Sequence, residues 1–212
     1  MAVREVVFLR IFLVRHGETA WNAKLRFQGH VDVPLSGRGR EQARALAVRL
    51  EKENFAAAYA SDLGRAVETA GILTVPHNLA VQQLTGLREI NFGAWEGLTA
   101  EQIRARYDKE IRQWWDKPLQ TRIPGGETLS EVAARVTAEI RRIVENRPGE
   151  QVLVVCHGGP IRTIVASILG MDLNQYWRLR LDNACLSIID FPAWDRGMLT
   201  LFNDCSHLAG GE

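Results

Sequence analysis

The chain is predicted to fold as an α/β three-layer sandwich, a mostly parallel sheet with helices on both faces and a small helical insertion over the active-site edge. Two apolar runs, residues 6–14 and 152–155, carry this expectation, because near-continuous Val, Leu, Ile and Phe is the pattern of strands buried on both faces. Each run stops abruptly on polar residues. The first ends in Arg15-His16-Gly17-Glu18-Thr19 and the second in Cys156-His157-Gly158-Gly159. Sheets of this kind hold ligands beyond the carboxyl ends of their strands, so two imidazoles are delivered to one edge where chemistry is expected.

The remaining elements alternate in the same sense. Ser36 is an N-cap for a helix to about Lys52, with Ala43, Leu46, Ala47 and Leu50 facing inward. A short strand at 56–60 precedes a helix at 62–73, which sets Ser61, Asp62 and Arg65 beyond another strand end. Thr128-Leu129-Ser130-Glu131 matches a capping box, and Leu129, Val132, Ala133, Val136, Ile140, Ile143 and Val144 recur at helical spacing. A helix from about Pro160 to Leu169 is stopped by Gly170, and residues 187–191 and 198–202 form a closing strand pair. Between 91 and 126 the pattern breaks, with Trp95, Trp114 and Trp115 among charged residues. That stretch is read as a cap insertion within a single domain spanning 1–212.

Composition excludes several function classes. With 46% hydrophobic residues the 212-residue chain fills an ordinary globular core, and its formal net charge of +1 supplies no bulk field for nucleic acid or an anionic membrane. Any anion must be captured locally. The three cysteines, 156, 185 and 205, are odd in number and lack C-x-x-C spacing, which disfavours a disulfide framework and indicates a reducing, cytoplasmic compartment. Arg10 and Arg15 interrupt the apolar N-terminus, no small-residue cleavage site follows, and no run approaches the roughly 20 residues that span a bilayer.

Phosphoryl transfer requires cations and N–H donors for the phosphate oxygens, an in-line nucleophile and an acid for the leaving oxygen. The chain has candidates for each. His16 is a nucleophile that is substantially neutral at physiological pH; Arg15, Arg65 and His157 supply a cationic pocket; Glu89 serves as the acid if its surroundings raise its pKa. These residues stand in a longer ordered set: Arg15-His16-Gly17-Glu18-Thr19 with Trp21-Asn22, Gln28-Gly29, Pro34-Leu35-Ser36, Ser61-Asp62-Leu63 with Arg65-Ala66 and Thr69-Ala70, Leu87-Arg88-Glu89 with Gly93 and Trp95-Glu96-Gly97, and His157-Gly158. In that order, over most of the chain, they resemble the histidine phosphatase superfamily, also called phosphoglycerate mutase-like. The resemblance implies that His16 becomes phosphohistidine, that Arg15, Asn22, Arg65 and His157, joined by Gly158, hold the phosphoryl group, and that Glu89 donates the proton. It implies no metal and no cofactor.

Rival readings use fewer of these residues. Cys156 through Arg162-Thr163 fits C-x5-R-[ST], the phosphate loop of cysteine-dependent phosphatases, but leaves Arg15, His16, Arg65 and Glu89 unexplained. The five histidines show neither H-x-H nor H-E-x-x-H, and no G-x-x-x-x-G-K-[ST] occurs. A non-catalytic phospho-ligand binding module would usually have lost one of the paired groups. The resemblance also separates hydrolases from mutases. Glycolytic mutases carry a longer insertion with adjacent arginines, whereas residues 96–126 hold only scattered Arg104, Arg106, Arg112 and Arg122. The expectation is therefore a small phosphatase acting on a phosphorylated metabolite, similar to α-ribazole, phosphoserine and broad-specificity phosphatases, with phosphoglycerate mutase as the alternative. Gln28, Gly29, Trp95, Arg122 and His207 are candidates for substrate contact, while core or homodimer packing competes for the tryptophans. His30 and His77 are assigned no catalytic part.

Overall fold

The computed structural model describes residues 8–209. Six strands form one sheet in the order β3-β2-β4-β1-β5-β6: β1 (Leu9–Arg15), β2 (Ala57–Ala60), β3 (Val81–Gln83), β4 (Gln151–Cys156), β5 (Leu186–Phe191) and β6 (Met198–Asp204). β3, β2, β4 and β1 run parallel, whereas β5 lies antiparallel to both β1 and β6. The strand expected at 6–14 therefore begins later, and its first two residues lie outside the described ones.

Alternation along the strands builds two cores. Phe12 and Val14 of β1, Ala58 and Ala60 of β2, and Leu153 and Val155 of β4 face α2 (Gly37–Leu50) and α3 (Gly64–Thr74). Leu9, Ile11, Leu13, Val152, Val154 and Cys156 face the opposite layer, made by α5 (Leu129–Asn146) and α6 (Gly158–Ile168). Both predicted caps form: Ser36 Oγ accepts from Gly39 N–H at 3.0 Å, and Thr128 and Glu131 close a capping box. Another capping box, Thr19 with Asn22, starts the single-turn α1 (Ala20–Ala23) beside the end of β1.

The structure departs from the expectations at local points. α3 begins at Gly64 rather than 62, and α6 at Gly158 rather than 160, so Pro160 sits inside the first turn, where its missing N–H breaks no helical bond. β3 went unforeseen because three residues, two of them exposed glutamines, carry no usable alternation. Within residues 91–126 lies α4 (Ala100–Asp116), broken at Tyr107 (φ −137°, ψ 43°). Its Ile103, Ile111 and Trp114 are buried in the same core as Trp95 and Ile123.

Sheet register fixes the functional edge. Arg15 pairs with Cys156 at the last rung shared by β1 and β4, and His16 N–H extends the ladder by donating to Cys156 O at 3.0 Å. His16 and His157 therefore leave adjacent parallel strands at the same level.

Candidate active site

The two imidazoles meet edge to face, with ring centroids 5.1 Å apart. His16 Nδ1 lies 2.7 Å from Gly17 O. A carbonyl only accepts, so the proton resides on Nδ1 and the lone pair on Nε2. Burial, reinforced by the guanidinium groups of Arg65 and Arg15, holds the His16 pKa well below its ordinary value. The ring is thus a neutral base at pH 7. His157 is pushed down in the same way, by burial and then by Arg65. It caps α6 without spending its side chain, and both of its buried ring nitrogens lack a hydrogen-bond partner among the described residues.

Two arginines complete the ring of donors. Arg15 Nη1 donates to Leu181 O at 2.7 Å, while its buried Nε has no partner among the described residues. Arg65 is fully buried; Nη2 donates to Gly29 O at 2.7 Å, Nη1 to Val31 O at 3.0 Å, and Nε again has no partner among the described residues. Desolvation lowers both guanidinium pKa values below their ordinary range, a direction that marks cations lacking enough counter-charge. Unpartnered buried donors are costly, at about 1–3 kcal/mol each, so this cluster is matched to an anion.

Glu89 faces these cations across the cleft. Its Oε1 accepts from Ile90 N–H at 2.9 Å and Gly159 N–H at 3.0 Å, whereas Oε2 has only a 3.4 Å contact with Gly159 N–H. Oε1 is thus held by two backbone donors, and Oε2 is the freer of the two oxygens. Gly159 is required here, because a Cβ on it would lie 2.3 Å from Glu89 Oε1. Arg135 on α5 ties down the same loop. It donates to the carbonyls of Gly86, Arg88 and Glu89 at 2.6–2.9 Å and pairs with both oxygens of Glu127 at 2.9 Å.

The cleft has a volume of about 380 Å³; its lining includes Arg15, His16, Asn22, Gln28, Arg65, Glu89 and Gly158 from the sequence-derived set. His157 is not among these lining residues, although its ring lies against that of His16. Asn22 Oδ1 is occupied by Thr19 and Asn183, leaving its amide N–H donors for the cleft. Sequence reading missed Arg26, Phe27, Phe92 and Tyr176, and it reached Arg162 only through the cysteine-loop alternative; all five also line the cleft.

Several expectations are corrected. Trp95 is fully buried and packs edge-on to Trp114, so it supports the wall without touching the cavity. Arg122 is exposed and paired with Glu131 at 2.6 Å, in a separate groove beside Gln113 and Lys117. His207 sits in the turn Ser206–Leu208 packed on α2, where Arg49 holds Ser206 and Asp204. Gly29 acts through its backbone: with φ +58° and a would-be Cβ 1.9 Å from Glu96 Oε1, it passes between Glu96 and Arg65 and offers its carbonyl to the latter. The thiol of Cys156 points into the core, and burial pushes its pKa far up, so the cysteine-loop alternative lacks a thiolate.

This sheet, with phosphate-matched donors at its parallel edge, defines a phosphoryl-handling α/β enzyme. Residues 11–204 match the Histidine phosphatase superfamily (branch 1), and the chain belongs to that superfamily. It is 34% identical over 200 residues to phosphoserine phosphatase 1 of Hydrogenobacter thermophilus, covering 94% of each chain. It is 35% identical over 183 residues to "Probable phosphoglycerate mutase GpmB" of Yersinia enterocolitica, covering 86% of this chain and 85% of that one. The α-ribazole phosphatase of Shigella flexneri superposes with a TM-score of 0.84 at 29% identity, over 92% of this chain and 96% of that one. The protein is accordingly a phosphomonoesterase of the histidine phosphatase family.

Proposed function

We propose that the protein hydrolyses small phosphorylated metabolites through a phosphohistidine on His16, with Glu89 as proton donor. The observation that carries this reading is the tautomer of His16: Nδ1–H is engaged by Gly17 O, so the Nε2 lone pair stands beside the unpartnered buried donors of Arg15, Arg65 and His157. The phosphoryl oxygens take hydrogen bonds from those donors and from Asn22. Nε2 attacks phosphorus, the ester P–O bond breaks, and the departing oxygen takes the proton from Glu89 Oε2. Glu89, now a carboxylate, removes a proton from water. The resulting hydroxide attacks phosphorus, the N–P bond breaks with its electron pair returning to Nε2, and phosphate leaves.

The mutase alternative loses support from the insertion. None of Arg104, Arg106, Arg112 and Arg122 lines the cleft, and Arg112 is paired with Asp108 on its own helix. A cytoplasmic location is consistent with three free cysteines, and no helix among the described residues is long and apolar enough to cross a membrane. The test is quench-trapping with labelled substrate. Wild type should yield an acid-labile, base-stable phosphoprotein and release free phosphate, and His16→Ala should do neither. Turnover surviving in His16→Ala overturns the nucleophile, and interconversion of 2- and 3-phosphoglycerate outrunning phosphate release would promote the mutase.

A further inference from the structure

The catalytic cleft does not end at the phosphate-binding floor. A second cavity of about 360 Å³, lined by Phe27, Phe92, Trp114, Trp115, Arg162, Tyr176 and Trp177, shares Phe27, Phe92, Arg162 and Tyr176 with the first. Those four residues form a common neck. Four different chain segments supply the walls: the loop after α1, the insertion with α4, α6 itself through Arg162, and the six-residue turn Leu173–Arg178 that follows it. Trp114 and Tyr176 are buried floor, but Trp115 and Trp177 each keep 42% exposure, unusual for such large apolar side chains in a concave site. At the neck, Arg162 Nε donates to Leu179 O at 2.7 Å, which fixes the guanidinium. A Cβ placed on Gly158 would lie 3.6 Å from both Arg15 Nε and Arg162 Nη1, so the two guanidinium groups share the surroundings of Gly158.

We infer that this annex is the leaving-group subsite and that it selects phosphomonoesters whose alcohol carries a planar aromatic ring. The inference rests on the phosphatase reading above and narrows its substrate class. The argument is one of shape and continuity. A phosphoryl group bound at His16 directs its ester oxygen away from the floor, past Glu89 and toward the neck. A small alcohol would leave the annex as wet apolar surface, whereas a flat ring between Trp115 and Trp177 removes that surface from water and gains edge or face contacts with several aromatics. The cleft alone is near the lower limit of small-molecule sites, and with the annex it falls well inside their range of about 300–1,000 Å³. Arg162 adds a cation at the rim of the ring site, suited to an aromatic face or to a polar substituent next to the ester.

The experiment compares 2-naphthylmethyl phosphate with ethyl phosphate on the purified protein. Both release unactivated alcohols, so leaving-group acidity does not dominate the difference. Wild type should prefer the naphthylmethyl ester by about tenfold or more in kcat/KM, equivalent to about 1.4 kcal/mol. Trp115→Ala and Trp177→Ala should raise KM for the naphthylmethyl ester, and the double substitution should abolish most of the preference by lowering kcat/KM far more for the naphthylmethyl ester than for ethyl phosphate. Quenching of tryptophan fluorescence by the non-hydrolysable 2-naphthylmethylphosphonate, lost in the double variant, reads binding without turnover. Equal kcat/KM for the two esters in wild type, or a preference that survives the double substitution, overturns the annex assignment while leaving the phosphatase reading intact. Failure of wild type to hydrolyse either ester, with no phosphohistidine trapped, overturns the phosphatase reading itself and this inference with it.

Discussion

The floor and the wall of the cleft are built by opposite means. On the floor, Arg15, His16, His157 and Gly158 follow directly from the ends of β1 and β4, and strand register sets their level. On the wall, Phe27, Phe92, Trp115, Tyr176 and Trp177 come from turns and a kinked helix, and only side-chain packing relates them. The floor is buried and short of partners; the wall is half-exposed and apolar. In the reading proposed above, rigid backbone carries the group common to all phosphomonoesters, and adjustable side chains carry what differs between them.

The contrast can be broken most severely from below. Arg65→Ala removes a buried cation and also the clamp on the carbonyls of Gly29 and Val31, so kcat/KM should fall about 10³-fold for aromatic and aliphatic esters alike. Arg65→Lys should recover only part, since one ammonium cannot bridge both carbonyls and serve phosphate. A loss confined to aromatic esters would erase the distinction between floor and wall. Glu89→Gln should slow alkyl phosphates about 10²-fold and aryl phosphates much less, because an aryl oxide leaves without a proton; equal losses in the two series would remove Glu89 from the acid role. Arg135→Leu acts at one remove, freeing the Glu89 loop. It should lower kcat about tenfold for alkyl phosphates while leaving KM and the yield of trapped phosphohistidine from aryl phosphates nearly unchanged.

The smallest effect concerns pH and stability. His16 and His157 have folded pKa values below the unfolded 6.5, so under acid conditions the unfolded chain takes up protons that the folded one refuses. Stability should therefore hold above pH 6.5 and decline as pH falls below it, by up to about 1.4 kcal/mol per pH unit for each imidazole. Thermal unfolding between pH 7.5 and 5.5 tests this. Saturating phosphate should shallow the slope, and His157→Gln should remove one imidazole's share; a flat profile in the empty enzyme would mean that the floor is more hydrated than its burial indicates.

The floor was legible in the sequence because strand-end residues are fixed locally: an apolar run terminating on Arg-His-Gly leaves those side chains nowhere but the sheet edge. Wall residues gave weaker signals. Trp95 read as a pocket residue because of its size, yet its neighbours bury it entirely. Arg122 read as a free cation although Glu131 lies nine residues on in the same exposed face. Arg162 did leave a trace, being the one charged side chain in a helix whose other residues from Gly158 to Ala166 are buried. Arg135 left none, since an arginine on an amphipathic helix is ordinarily solvated, and three of its five contacts come from a loop some 46–49 residues earlier, the other two from Glu127.

The strand order carries a consequence for assembly. β4 is inserted between β1 and β2, so the first two strands made are never neighbours and cannot form a nascent sheet with each other. Until the ribosome has delivered Gln151–Cys156, the N-terminal half has Arg15, His16, Arg65 and Glu89 but no central strand to bring them together. The proposed catalytic apparatus therefore arises in one late event of high contact order. Capture of an oxyanion reports completion of the whole sheet rather than maturation of a local pocket.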